Sequence, residues 1–223
     1  MPQALPRAKL RAVYDHVARW YDVQHRVVTF GSDQRGREMV VRRTVREGDR
    51  VIDAGAGTGA SALMASVRVG PSGDVTLYDF SAGMLGEARR KARERGPGGA
   101  LGFVRGDMNR LPFDDGTFDA ALSTYSMCPL YDPAAAAREL YRVVRPGGRI
   151  GVAHSTEPDG AFVKWLADLA ERVYWKVPEL SLGCRAVEVL PALESAGGAV
   201  IFRKKIGFPL WPFLVFVVEK PRA

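Results

Sequence analysis

The chain has 223 residues, 47% of them apolar and 26% charged, a balance that excludes a disordered chain, a collagen-like fibre and a disulfide scaffold and suits one large soluble domain. Its two cysteines, Cys128 and Cys184, stand far apart with no histidine at ligand spacing, so no metal site is expected and a reducing cytoplasm is the natural setting. The net charge of +7 gathers at the front, where the first 50 residues hold 11 basic and 6 acidic side chains; that excess suits nucleic acid, an anionic membrane surface or an acidic substrate, and charge alone does not choose among them.

The opening residues, Met1 to Val13, lack the apolar stretch of a secretory signal, and none is expected. From Arg7 to Gln24 apolar side chains recur at Leu10, Val13, Tyr14, Val17, Trp20 and Tyr21, the stripe of one amphipathic helix. A second helix is expected between Gln34 and Arg46. The chain then alternates: strand 50–54, helix 60–69, strand 74–78, helix 82–95, strands 101–104 and 118–123, and helix 133–144, which opens with proline. Strand 149–153, helices 161–175 and 185–196, and two closing strands, 200–205 and 213–218, complete the pattern. Ile206 to Val218 is too short to span a bilayer and is interrupted by Pro209 and Pro212. Alternating strands and helices predict an α/β fold, a Rossmann-like seven-stranded, mostly parallel sheet with one antiparallel edge strand and helices on both faces. Residues 1–49 are expected to form an N-terminal helical lid and residues 50–223 the core of a single domain.

The strongest chemical signal is Val51-Ile52-Asp53-Ala54-Gly55-Ala56-Gly57-Thr58-Gly59, a strand running through a glycine loop into a helix. Glycines there let a ligand approach the backbone, and the helix start supplies free N–H groups. With Ala60 the loop also fits a dinucleotide motif, and Asp79 lies at the distance of a ribose-binding acid. Asp53 separates the two readings, because a carboxylate at that strand end repels a pyrophosphate and attracts an ammonium or sulfonium. Asp79 ends the second strand and Asp107 follows the third, so three acids emerge at the carboxyl edge, where such sheets bind ligands.

These residues resemble the class I S-adenosylmethionine-dependent methyltransferases. The resemblance runs through Asp79-Phe80-Ser81 with Met84-Leu85, Gly106-Asp107 with Leu111-Pro112-Phe113, Phe118-Asp119, and Arg138 to Gly148. Tyr14-Asp15, Tyr21-Asp22 and the Phe30-Gly31 turn are similar to the start of the UbiE/COQ5-like, ubiquinone/menaquinone-type group. The resemblance implies S-adenosyl-L-methionine as cofactor. Gly55, Gly57 and Gly59 would hold its methionine part, and Asp79 would accept from both ribose hydroxyls. Asp107 would bind the adenine amino group, with Met108 and Phe80 against the ring. Ser123 would lie near the donor methyl, and Tyr21 would close over the cofactor from the lid.

On the acceptor side His154, after the fifth strand, is the candidate catalytic base; it either accepts a proton from the nucleophile or bonds a neighbouring loop. Tyr125, Tyr131 and Trp165 are candidates for the acceptor pocket. Ser123-Thr124-Tyr125-Ser126 stands where enzymes methylating nucleic-acid bases carry Asn/Asp-Pro-Pro-Tyr/Phe, so nucleic acid is not an expected partner. The expected acceptor is a small or lipophilic molecule, quinol-like in preference to a phospholipid amine such as phosphatidylethanolamine. The basic front helix and Phe208 to Phe216 point to peripheral contact with an anionic membrane surface by a cytoplasmic protein. A cofactor-binding protein without catalysis is the alternative of another class.

Overall fold

Residues 5–174 and 181–222 are described by a computed structural model. Seven strands form one sheet: β1 (Arg50–Ala54), β2 (Asp74–Asp79), β3 (Ala100–Arg105), β4 (Phe118–Thr124), β5 (Val144–Ser155), β6 (Ala199–Phe208) and β7 (Trp211–Glu219). Their order is β3-β2-β1-β4-β5-β7-β6. The chain moves outward from β1 through β2 to β3, then returns to the other side of β1 with β4. That reversal opens a crevice beyond the carboxyl ends of β1 and β4, where two neighbouring connections leave in opposite directions. The antiparallel strand is β7, which pairs with β5 and β6. It sits one place in from the edge, which β6 occupies.

Three helices, α3 (Ser32–Thr44), α4 (Ala60–Val69) and α5 (Ala82–Arg95), cover one face. Val40, Val41, Ala62, Ala65, Leu85 and Ala88 pack there on Val51, Val75, Leu77 and Leu122. The other face is covered by α6 (Pro133–Val143) and α8 (Leu190–Ser195), through Leu140, Val143 and Leu193 on Ile52, Ala121 and Ile150. Between α6 and α8 in the chain lies α7 (Ala161–Tyr174). Alternate residues of the inner strands β1, β4, β5 and β7 feed the two cores, which is the period of a strand buried on both sides.

The expected front helix is two helices, α1 (Arg7–Val17) and α2 (Tyr21–Val28). No glycine or proline interrupts residues 18–20. The two halves are instead fastened at separate points. The Asp15 carboxylate accepts from the Ser81 hydroxyl at 2.5 Å and the Gly83 N–H at 2.9 Å, and Asp22 accepts from the Thr58 hydroxyl at 2.6 Å and pairs with Lys91. Leu10, Val13, Tyr14, Val17 and Tyr21 are buried with Met84 and Leu182, while Trp20, at the break, is 72% exposed. The expected helix 185–196 begins only at Leu190, because Pro191 is tolerated in a first turn and not inside a helix. The end of the expected helix 161–175 at Trp175 lies outside the described residues.

α3 is part of the layer that covers the sheet. A Cβ on Gly151 of β5 would lie 2.1 Å from the Thr44 Oγ1 and 2.8 Å from the Val40 Cγ1, so helix and strand meet backbone to side chain. Gly151→Ala should therefore destabilise the protein by about 1–3 kcal/mol, the usual cost of overpacking. Urea unfolding with an unchanged midpoint would show that α3 is not seated on the sheet.

Candidate functional site

The crevice holds a cleft of about 850 Å³. Its floor is the glycine loop. The Gly55 and Ala56 N–H groups both donate to the Tyr78 carbonyl, at 2.8 and 3.1 Å, which folds the loop over the end of β2. Gly55 has φ +74°, and a Cβ there would strike Ser126 at 2.3 Å; Gly57 has φ +54°, and its missing Cβ points into open space within the cleft. Both positions need glycine, the first for close packing and the second to leave ligand room. Gly59 instead packs between Leu77 and Ala88 and does not line the cleft.

Asp79 lines the cleft with 6% exposure. Its two oxygens accept from the Gly57 N–H and the Ser81 N–H, each at 2.8 Å. Burial pushes its pKa up to about 6, against the pull of those two N–H groups, and the Asp15 charge adds to the rise. Asp53 lies behind the loop, 1% exposed, and neither oxygen has a well-formed hydrogen bond among the described residues. Burial pushes it up to about 7; the Arg37 guanidinium opposes the rise, the Asp79 charge adds to it, and the Ala62 N–H at the start of α4 opposes it. Two carboxyl groups that share one buried corner, with the Arg37 charge only partly offsetting one of them, fit a ligand that brings positive charge. The room at Gly57 thus suits the amino acid end of S-adenosylmethionine, while Asp53, which is not among the residues that line the cleft, faces that end only from behind the loop.

Farther out, Phe80, Asp107 and Met108 line the same cleft. Asp107 forms an ion pair with Arg7 of α1, whose guanidinium also lies 5.3 Å from the centre of the Tyr131 ring. From above, Tyr14 and Tyr21 close the cleft. Tyr21, Gly55, Gly57, Asp79, Phe80, Asp107 and Met108 are therefore brought together. Ser123 is not: it is fully buried and its hydroxyl lies 2.6 Å from that of Ser126, the residue that reaches the cleft. His154 is also absent from the cleft. It is fully buried against Phe216, ring centres 5.8 Å apart, with Nδ1 2.9 Å from the Ser155 carbonyl oxygen, and burial holds its pKa below the ordinary value. The pleat sends both side chains away from the ligand edge. Trp165 is exposed beside Phe162 on α7, and Tyr131 belongs to the mouth of the cleft.

Arg37 was not legible in the sequence. From α3 it donates to the Thr124 hydroxyl at 2.7 Å and the Ser61 hydroxyl at 3.4 Å, and it lies 5.0 Å from the centre of the Tyr125 ring. It lines the cleft with a buried positive charge that acts on Asp53, and it pairs with Asp33 of its own helix at 3.9 Å. Tyr125 itself has φ +59°, an unfavourable region for a bulky side chain, and its N–H donates to the Ala153 carbonyl at 2.7 Å.

Comparison with known proteins gives the family and the fold. The profile of the ubiE/COQ5 methyltransferase family matches residues 3–168. A demethylmenaquinone methyltransferase of Beutenbergia cavernae is 37% identical over 166 residues, covering 70% of this chain and 65% of the relative. The ubiquinone/menaquinone biosynthesis C-methyltransferase UbiE of Idiomarina loihiensis is 34% identical over 157 residues, 70% of this chain and 62% of the relative. The chain thus spans just under two thirds of the length of these relatives. Among solved structures, the [4+2]-cyclase SpnF superposes with a TM-score of 0.75 at 20% identity, over 100% of this chain and 99% of that one. A SAM-dependent methyltransferase of Aquifex aeolicus does so with a TM-score of 0.58 at 24% identity, over 82% and 88%. At these identities the structural likeness speaks for the fold alone.

Asp79→Ala should weaken S-adenosylmethionine binding by about 2–4 kcal/mol, roughly 30- to 1000-fold, through loss of a charged acceptor and exposure of two N–H groups without partners. Titration calorimetry on a folded variant with unchanged affinity would remove Asp79 from the site.

Proposed function

The chain belongs to the ubiE/COQ5 methyltransferase family and has its Rossmann-like fold, and on that premise we propose that it transfers a methyl group from S-adenosylmethionine to a lipophilic, quinol-like acceptor. The observation that carries this reading is the cleft at the reversal of strand order, lined by the glycine loop, Asp79, Asp107 and Met108 and backed by Asp53. In this reading the glycine loop holds the methionine end with the Asp53 charge behind it, Asp79 the ribose and Asp107 the adenine. The bound cofactor supplies an electrophilic methyl on a sulfonium. The residues of the chain align the two reactants and keep water out, which is the main catalytic contribution in an in-line displacement. The quinol preference follows the names of the relatives. Those names are for quinone methylation, not phospholipid methylation, which sets the phosphatidylethanolamine alternative aside.

The proposed lid is α1 with α2, and α3 is left to the core. Asp15 on the start of α5, Asp22 on Thr58 and Lys91, and Arg7 on Asp107 support that role, because each joins the helical pair to an element around the cleft. The membrane-facing surface also shifts from the one expected. Arg7 is engaged at the cleft, and Phe213 and Phe216 are buried in the sheet. The outward side of α2 presents Trp20, Val23 and Val27, followed by Phe30 at 85% exposure beside Phe208 of the β6–β7 hairpin, ring centres 6.3 Å apart. Exposed Arg19, Arg26 and Lys204 belong to the same two elements and their borders, and this pairing of apolar and basic groups suits an anionic bilayer surface.

Incubation with methyl-labelled S-adenosylmethionine and a reduced, demethylated naphthoquinone in vesicles should yield a labelled, methylated quinol by mass spectrometry. Cofactor binding without label in any quinol would defeat the acceptor assignment, and a melting temperature raised by NAD instead would defeat the cofactor assignment. Trp20→Ser with Phe30→Ser should cut binding to phosphatidylglycerol vesicles about tenfold or more, since burying one large apolar side chain is worth roughly 1.5–3 kcal/mol. Sedimentation with vesicles that is equal for both proteins would place the docking face elsewhere.

A further inference from the structure

A second cavity, of about 730 Å³, lies beside the cofactor cleft between α2, the end of β5, the start of β7 and the segment after residue 180. His25, Thr29, Cys184, Arg185, Trp211 and Phe213 are among the residues that line it. The two spaces meet at a layer of rings. Tyr21 and Tyr125 line the cleft, and His25, which lines the second cavity and also a smaller polar space with Asp22, Asp33 and Arg37, stacks on Tyr21 at 5.3 Å and meets Tyr125 edge-on at 5.2 Å.

His25 is prepared for one chemical task. Its Nδ1 lies 3.0 Å from the Asp33 Oδ2, and Asp33 also accepts from the Thr29 hydroxyl at 2.9 Å. The His25 hydrogen bond and charge, Thr29 and Arg37 hold the Asp33 carboxyl well below the usual range in spite of its burial. An ionised carboxylate only accepts, so Nδ1 carries the proton and Nε2 presents a lone pair. Nε2 makes no hydrogen bond among the described residues. Burial pushes the imidazole below its ordinary pKa, the Asp33 hydrogen bond opposes that fall and Arg37 adds to it. The groups facing it are Tyr21 and Asp22 of α2, Asp33 and Arg37 of α3, and Tyr125 after β4.

We infer that His25, held by Asp33, is the base that takes the proton from a phenolic or hydroquinone hydroxyl of an acceptor that lies in this second cavity and reaches past the ring layer to the cofactor cleft. The inference rests on the methyl-transfer reading. The acceptor O–H bond breaks, its proton bonds to Nε2 and its electron pair stays on the acceptor. That electron-rich acceptor takes the methyl carbon, and the sulfur keeps the pair of the broken carbon–sulfur bond. Where a ring carbon takes the methyl, the displaced ring hydrogen passes to the oxygen as aromaticity returns. The net products are a thioether, a methylated acceptor and an imidazolium whose charge Asp33 meets. Residues 181, 182, 184–186, 210, 211 and 213 of the cavity lie beyond the segment matched by the family profile.

The experiment uses the full chain, with His25→Gln and Asp33→Asn as variants. In wild type, 4-nitrophenol bound in the presence of S-adenosylhomocysteine should ionise at a lower pH than in free solution, seen as the phenolate absorbance. That shift should vanish in His25→Gln and shrink in Asp33→Asn. Turnover should fall about 10²- to 10⁴-fold in kcat for His25→Gln, with cofactor affinity by calorimetry held within about twofold and partial rescue by more acidic phenols. Absence of 4-nitrophenol binding, equal ionisation in wild type and both variants, or an unchanged kcat and pH profile overturns the assignment to His25. Loss of cofactor binding in the wild type is a different result, and it removes the methyl-transfer reading and this inference with it.

Discussion

Two carboxyl groups, Asp53 and Asp79, are buried near the ends of neighbouring parallel strands, and the site is arranged around the difficulty of keeping negative charge there. An ionised carboxylate without partners in a low-dielectric interior is costly enough that it takes up a proton instead. Asp79 meets that cost with two backbone N–H groups, donated by the glycine loop and by the residue that caps α5. Asp53 has no such pair, and the buried Arg37 only partly offsets its isolation. Raised carboxyl pKa values make the free protein most comfortable below the ordinary carboxylate range and cost it stability as pH rises through about 6 and 7. A cationic ligand reverses that loss, which ties the preference for a sulfonium and ammonium to the energetics of the fold.

The same constraint explains the helical cover. Asp15 completes the start of α5, where Ser81 also caps, and Asp22 reaches Thr58 at the glycine loop. The two front helices are thus fastened to the turns that hold Asp79 and, in the proposed reading, the cofactor's methionine end. Ser81 serves both, its N–H on Asp79 and its hydroxyl on Asp15.

Much of the cleft's lining was legible in the sequence because it is local. A glycine loop between strand and helix, and acids at successive strand ends, are written in short stretches whose geometry follows from strand and turn chemistry. Strand ends fix which edge a residue occupies but not which face it takes. His154 and Ser123 therefore stood at the right edge and turned into the core, while Ser126, three residues on, reaches the cleft. Arg37 escaped notice because its partners Ser61 and Thr124 are far away in the chain. The pairing of His25 with Asp33 needs the reversal at Phe30 and Gly31, both with positive φ, which no helical spacing reveals. The single stripe from Arg7 to Gln24 hid a break that separate anchors impose from outside.

The central claim is that the buried carboxyl corner is completed by a cation. Titration calorimetry of S-adenosylmethionine across pH 5 to 8, repeated in buffers of different ionisation enthalpy, tests it directly. The account predicts proton release on binding near pH 6 to 7 and affinity that tightens as pH rises through that range, as Asp53 and Asp79 give up their protons to meet the ligand. Binding that neither releases protons nor changes with pH over the same interval would contradict it.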